Sequence, residues 1–267
     1  AAQAGIRYDQ GNPSSGALSV QLNAYEGSEG EELLLPDQSS PNLQNLFFTK
    51  IEYSGINAML HWQHQRSERS HYSVKFYADH TERADSLFDL TVDSYDLDFQ
   101  QNYRLDDRQR IVWGLAYRYT KDQLPEQYIR FTRENRQYDV ASGIFQYELK
   151  AFDTWRFIAG SKFERNDFSG NEIQPTARAI WSYSAAGAAW LAVSQAKRTP
   201  SRSEHDARVG FDYAAPEVQL EIQGSESFQS ETLRAYEFGW RHRFTPALSL
   251  DMALFFNEYS GLRTFEP

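Results

Sequence analysis

The sequence predicts an all-β chain, an antiparallel up-and-down transmembrane β-barrel. Three observations predict it. Apolar or aromatic residues recur at every second position over most of the 267 residues, as strands with one greasy face require. Short turn-like connections alternate with long polar ones down the chain. The face opposite the greasy one is charged, which suits a wet lumen lined by paired ions.

Twelve candidate strands follow in order from the alternation, near residues 3–10, 17–26, 54–65, 70–80, 92–105, 109–120, 136–149, 153–166, 173–184, 188–197, 231–244 and 247–260. Over 70–80, Tyr72, Val74 and Phe76 oppose Ser73, Lys75 and Tyr77. Over 92–105, Tyr95, Leu97, Phe99 and Tyr103 share a parity against Asp96, Asp98, Gln100 and Asn102. After the charged turn Asp106-Asp107-Arg108 the pattern resumes with Ile111, Trp113, Leu115, Tyr117 and Tyr119. Trp155, Phe157, Ala159 and Phe163 then oppose Arg156, Gly160, Lys162 and Glu164. Near the end, Tyr236, Phe238 and Trp240 oppose Glu237, Gly239 and Arg241, and Leu248 to Phe256 repeat the alternation. Several strands exceed the ~5–6 residues of soluble sheets and reach the ~9–11 that cross a membrane.

The connections add a rhythm. "GNPSSG", "SERS", "DDRQ", "AFD", "AAG" and "TP" are tight turns, and between them lie polar segments at 27–53, 81–91, 121–135, 166–172 and 198–230. In an up-and-down barrel all the turns then fall at one end and all the long loops at the other. Long extracellular loops are expected at about 27–53, 121–135 and 198–230. Aromatic residues gather towards strand ends, where a ring with a polar tip fits a membrane–water boundary. The alternative is that they cap the core of a soluble β protein.

Composition removes other classes. With 16 Tyr and 18 Phe the aromatic content is high. A net charge of −10 argues against nucleic acid as a partner. The chain has no cysteine, which excludes a thiolate metal site, a Cys nucleophile and a disulfide framework. No stretch approaches the ~18 apolar residues of a spanning helix. There is no G-x-S-x-G elbow, Walker loop or dinucleotide fingerprint. His61, His64, His71 and His80 share no metal-ligand spacing. No cofactor, metal site or enzymatic activity is expected.

Over 153–264 the wording becomes specific. "GSKFERNDFSG", "QPTARAIW" and "WLAVSQAKRTPSRSE" lead into a long loop, and "SETLRAYEFGWR" follows it. These runs resemble the barrel of TonB-dependent outer-membrane receptors. The hairpin "YDLDFQQNYRL…RIVWGLAYRY" also fits that family. The resemblance implies a domain spanning 1–267 that is part of a larger, twenty-two-stranded barrel, with the plug domain outside this chain. It implies residence in the cell outer membrane and energy-coupled uptake of a scarce nutrient such as an iron–siderophore complex. The partners implied are outer-membrane lipid, the energy-coupling TonB protein acting through the plug, and a small ligand such as a metal chelate. A passive porin, or a soluble β-rich binding module, is the alternative.

Candidate site residues sit where the tenth strand becomes a loop. Arg198, Arg202, Glu204 and His205 could hold a plug or an anionic chelate by charge-assisted hydrogen bonds; a solvated rim cluster is the plainer reading. His205 also raises a haem reading, but its flanking "RTPS" and "SESF" are degenerate versions of the haem-receptor motifs. Glu237 and Arg241 share the inward parity and are expected to pair in the lumen.

Overall fold

The computed structural model describes residues 1–12, 14, 16–36, 44–125, 129–212 and 219–263. Along the chain run β1 (Ala2–Asn12), β2 (Gly16–Pro36), β3 (Gln44–Ser67), β4 (Ser70–Ala84), β5 (Leu90–Arg104), β6 (Gln109–Gln123), β7 (Ile129–Phe131), β8 (Asn135–Ala151), β9 (Trp155–Asn166), β10 (Gly170–Ser184) and β11 (Gly187–Arg198). Then come α1 (Arg202–Asp206), β12 (Ala207–Asp212), β13 (Gln219–Gln223), β14 (Glu231–Thr245) and β15 (Leu248–Ser260). Twelve strands form one antiparallel sheet in chain order, β7, β12 and β13 being set aside in a small sheet of their own. The twelve are the strands expected from the alternation. The large sheet is open, with β1 and β15 as its edges.

Register carries one face across all twelve strands. Tyr8 lies opposite Val20, Val20 opposite Leu60, Leu60 opposite Phe76, Phe76 opposite Leu97, and Leu97 opposite Tyr117. Farther on, Phe157 faces Ala179, then Leu191, Phe238 and Leu254. No protein layer among the described residues covers this face. Among the described residues only Ile51, Leu124 and Ala207 are buried apolar groups, whereas Leu115 is 61% and Phe157 42% exposed. Fully burying one such side chain is worth ~1.5–3 kcal/mol, so a face of this extent favours an apolar covering. The soluble-core alternative would need a second layer, and the described residues form none over this face.

Five of the six tryptophans lie on that face near the short turns: Trp62, Trp113, Trp155, Trp181 and Trp240. They belong to a belt of rings. Trp155 stacks on Trp181 at 5.8 Å, and Tyr183, His242 and Trp240 continue it at 5.9 and 5.8 Å. Trp190 is the exception. It points to the other face, lies across Gly239, where a Cβ would collide with the indole, and donates to Glu237 at 2.5 Å. The inner face is otherwise polar: Arg118 pairs with Asp96 at 2.8 Å, and Asn23 donates to Asn57 at 3.0 Å.

Two connections differ from expectation. Segment 27–53 is no irregular loop. Gly27 to Pro36 pair in register with Tyr53 to Gln44, extending β2 and β3 into a hairpin that overshoots β4. Segment 166–172 is mostly strand and closes in a tight turn. There the Asn166 side chain accepts from the Phe168 and Ser169 amides at 3.0 and 2.7 Å, an Asx-type turn that needs no length. In 121–135, β6 runs on to Gln123 and β7 interrupts the rest. In 198–230, α1, β12 and β13 supply structure; 126–128 and 213–218 lie outside the described residues.

Candidate functional site

The end of the sheet carrying the long connections holds the densest polar cluster. Thr199 and Pro200 end β11, and Ser201 caps α1. Its side chain accepts from the Glu204 amide while Glu204 reaches back to the Ser201 amide. A Ser three residues before a Glu is a capping box, so the local sequence encodes this single turn.

Arg198 lies opposite Glu231 in the β11–β14 register and grips it with two bonds, at 2.8 and 2.7 Å. The same guanidinium holds Glu204 at 3.0 and 2.8 Å. Glu204 also accepts from Arg263 at 3.2 Å, and its side chain is only 5% exposed. Arg198 is the main reason that Glu204 titrates near about 2.

Arg202 points back across the mouth. Its Nε donates to Asp122 of β6 at 2.9 Å, and its Nη atoms reach Asp206 and the Arg133 carbonyl. Arg136 of β8 donates to Asp206 at 3.0 Å and to Nδ1 of His205 at 2.9 Å, and lies over the Phe168 ring at 4.6 Å. Asp122, Asp206, Arg136 and Arg202 are all nearly buried. His205 is 6% exposed and stands edge-on to Phe168 at 5.3 Å. Burial, and then the Arg136 charge, push its pKa below the ordinary histidine range. The guanidinium donor makes Nδ1 an acceptor, so the imidazole is neutral.

The structure therefore brings Arg198, Arg202, Glu204 and His205 together, but as partners of one another and of the strand walls. Arg198 is engaged by Glu204 and Glu231, and Arg202 by Asp122, Asp206 and the Arg133 carbonyl. His205 is turned inward, which does not present it as a haem ligand. Asp122, Arg136, Phe168 and Asp206 were not anticipated. They come from β6, β8, the β9–β10 turn and α1, and no local spacing links them.

Glu237 and Arg241 do not pair. Four residues along a strand are ~13 Å apart at ~3.3 Å each, too far for an ion pair on one strand. Glu237 instead accepts from Trp190, and Arg241 binds Asp251 of β15. Among the described residues no group of three or more His, Asp or Glu side chains could hold a metal ion.

The family model "TonB dependent receptor-like, beta-barrel" matches residues 3–267. A comparison with curated proteins gives no match. Among solved structures the chain is similar to the siderophore receptor PirA from Pseudomonas aeruginosa, at 13% identity and a TM-score of 0.66. The match covers 96% of this chain and 52% of that one. It is similar to the FrpB iron transporter from Neisseria meningitidis (F3-3 variant), at 12% identity and a TM-score of 0.69, covering 96% and 44%. PirA from Acinetobacter baumannii gives 11%, 0.51, 96% and 52%. The chain thus spans about half the length of these proteins, and at such identities the likeness concerns the fold.

Proposed function

The chain belongs to the TonB-dependent receptor-like β-barrel family, and from that premise we propose that it forms a wall of an energy-coupled outer-membrane importer. The observation that carries this reading is the exposed, largely apolar face that register carries from β1 to β15, backed by a polar and charged inner face. Such a wall pairs its interior backbone groups strand to strand, as hydrocarbon demands. The tryptophan belt then marks the periplasmic boundary and the long connections lie outside the cell. The barrel transports and does not catalyse.

The ligand class we propose is an iron–siderophore complex. Support comes from the printed identities of the similar structures, a siderophore receptor and an iron transporter. Energy coupling would act through a plug and the TonB protein. Uptake of radiolabelled ferric chelates tests this in a strain lacking the full-length gene and in a complemented one. Expected is uptake that requires both the gene and the energy-coupling protein. Gene-dependent uptake that persists without the coupling protein would make the wall that of a passive channel. A full-length product recovered from aqueous lysate without detergent would overturn the lipid-facing wall.

A further inference from the structure

The lumen face near the short turns carries a run of cations that the fold does not use. Arg104, Arg110, Lys150, Arg156 and Arg178 share the inward parity of Asp96 and Arg118 through an unbroken register from β5 to β10. Arg104 closes β5, and Lys150 and Arg156 flank the turn between β8 and β9. All five are exposed. Their five strands span four spacings of ~4.8 Å, so the cations line an arc about 19 Å wide. The chain as a whole has a net charge of −10, and the arc reverses that sign locally.

Register sharpens the point. Arg104 lies directly opposite Arg110, and Lys150 directly opposite Arg156. Like charges facing each other across a ladder are destabilising, and here two such pairs sit side by side. One carboxylate serves them. Glu148 is 9% exposed and takes Arg110 at 3.3 Å and Arg156 at 3.4 Å. Among the described residues Arg104, Lys150 and Arg178 have no carboxylate within ion-pair distance. Nearby turn carboxylates are engaged elsewhere: Asp106 accepts from the Arg108 amide at 2.8 Å, and Asp153 pairs with the Arg108 side chain at 3.3 Å. Farther along the wall, Glu237 accepts from Trp190 and Asp251 binds Arg241. The described wall thus bears a repulsion that its own groups leave uncompensated.

We propose that this arc is a transit site for a polyanionic ferric chelate at the periplasmic end of the lumen. Guanidinium forks pair with carboxylate-like oxygens two at a time, and cations spread over about 19 Å suit a multivalent anion better than a monovalent one. Arg104, Lys150 and Arg178 are the contact residues. Arg110 and Arg156, held by Glu148, set the field around them. A concave wall lined by one sign of charge raises the local concentration of its counter-ion, which gives the chelate a second stop after capture at the outer mouth. The ligand is thereby narrowed to chelates of net negative charge. Passage of a chelate rests on the uptake reading above; affinity for a polyanion does not.

The test uses the full-length receptor. Arg104→Gln with Lys150→Gln removes one cation from each opposed pair and leaves both partners of Glu148 in place. In energised cells, uptake of a ferric tris-catecholate should fall about tenfold, while its binding to de-energised cells is unchanged. Uptake at the wild-type rate would overturn the site. An equal loss of binding and uptake would also overturn it, by placing the cations in capture. Import confined to an uncharged ferric chelate would overturn the transit role. Citrate supplies a readout independent of transport. For the purified receptor in detergent, citrate at about ten times its dissociation constant should raise the wild-type unfolding temperature by about 3 °C over a sodium chloride control of equal ionic strength. The double variant should not respond, and without citrate it should unfold no earlier than wild type. A variant that unfolds earlier, beside a wild type that ignores citrate, would mean that carboxylates of the full-length protein itself fill the arc, and the transit site falls. Should the wild type import no ferric chelate, the uptake reading fails and citrate alone decides the site.

Discussion

Glu204 illustrates what one side chain does at the mouth. It faces Arg198 on β11, Arg263 after β15, Ser201 at the cap, and Glu231, which shares the same arginine. A carboxylate held below its ordinary value of 4.5 stabilises the fold at higher pH, and that stability is lost as pH falls through the folded value. With that value at about 2, the contribution should be full above the ordinary 4.5, weaken steadily as pH falls below it and be gone beneath the folded value, so α1 amide protection should decline across that window. In Arg198→Gln the loss should move up towards pH 4.5; exchange measured against pH checks both. On the outer face, Leu115→Arg should cost ~2–4 kcal/mol if placed at mid-bilayer, read from denaturant unfolding in lipid, and Asp98→Asn on the inner face far less. Residue identity was legible in part. Arg198, Arg202, Glu204 and His205 stand together in the chain and could be singled out. Their partner Asp122 is 80 residues from Arg202, and only the folded sheet brings the two together.

At the scale of elements, alternation located every strand of the large sheet but not its length. Alternation records a difference between two faces. On the proposed membrane wall, β2 and β3 run beyond the bilayer to where both faces meet water, so the pattern fades through Glu29, Gly30, Glu31 and Glu32. The backbone ladder needs no such contrast and continues to Pro36 and Gln44. Trimming residues 32–48 to a two-residue turn should therefore leave barrel assembly intact, judged by heat-modifiable electrophoretic mobility. The β11–β14 joint should be far less tolerant. Trp190 lies across Gly239 and donates to Glu237, an aromatic packed over a strand glycine that pins register. Gly239→Ala drives a methyl into the indole and should cost about 1–3 kcal/mol, measured by unfolding in detergent. The short seam between β7 and β12 was invisible in the sequence. Three residues are too few for a period, and their pairing depends on two connections meeting over the mouth.

For the whole molecule, the decisive feature is the pair of edges. Residues Ala2–Asn12 and Leu248–Ser260 are exposed throughout, and each strand keeps one row of backbone donors and acceptors without a neighbour in the sheet. In hydrocarbon each such unpaired group costs several kcal/mol, far more than any side-chain pair on the wall returns. The sheet must therefore gain strands or close on itself. The shape match to about half of much longer barrels favours added strands, because β1 and β15 would then each meet a new neighbour instead of each other. Residues 1–267 refolded alone in detergent should give a protease-sensitive product without heat-modifiable mobility, while the full-length protein should give a resistant one. Cysteines at Tyr8 and Leu254, on the outer faces of the two edges, should fail to cross-link in the full-length protein. An efficient cross-link would mean that β1 and β15 meet and that these twelve strands close as a barrel of their own.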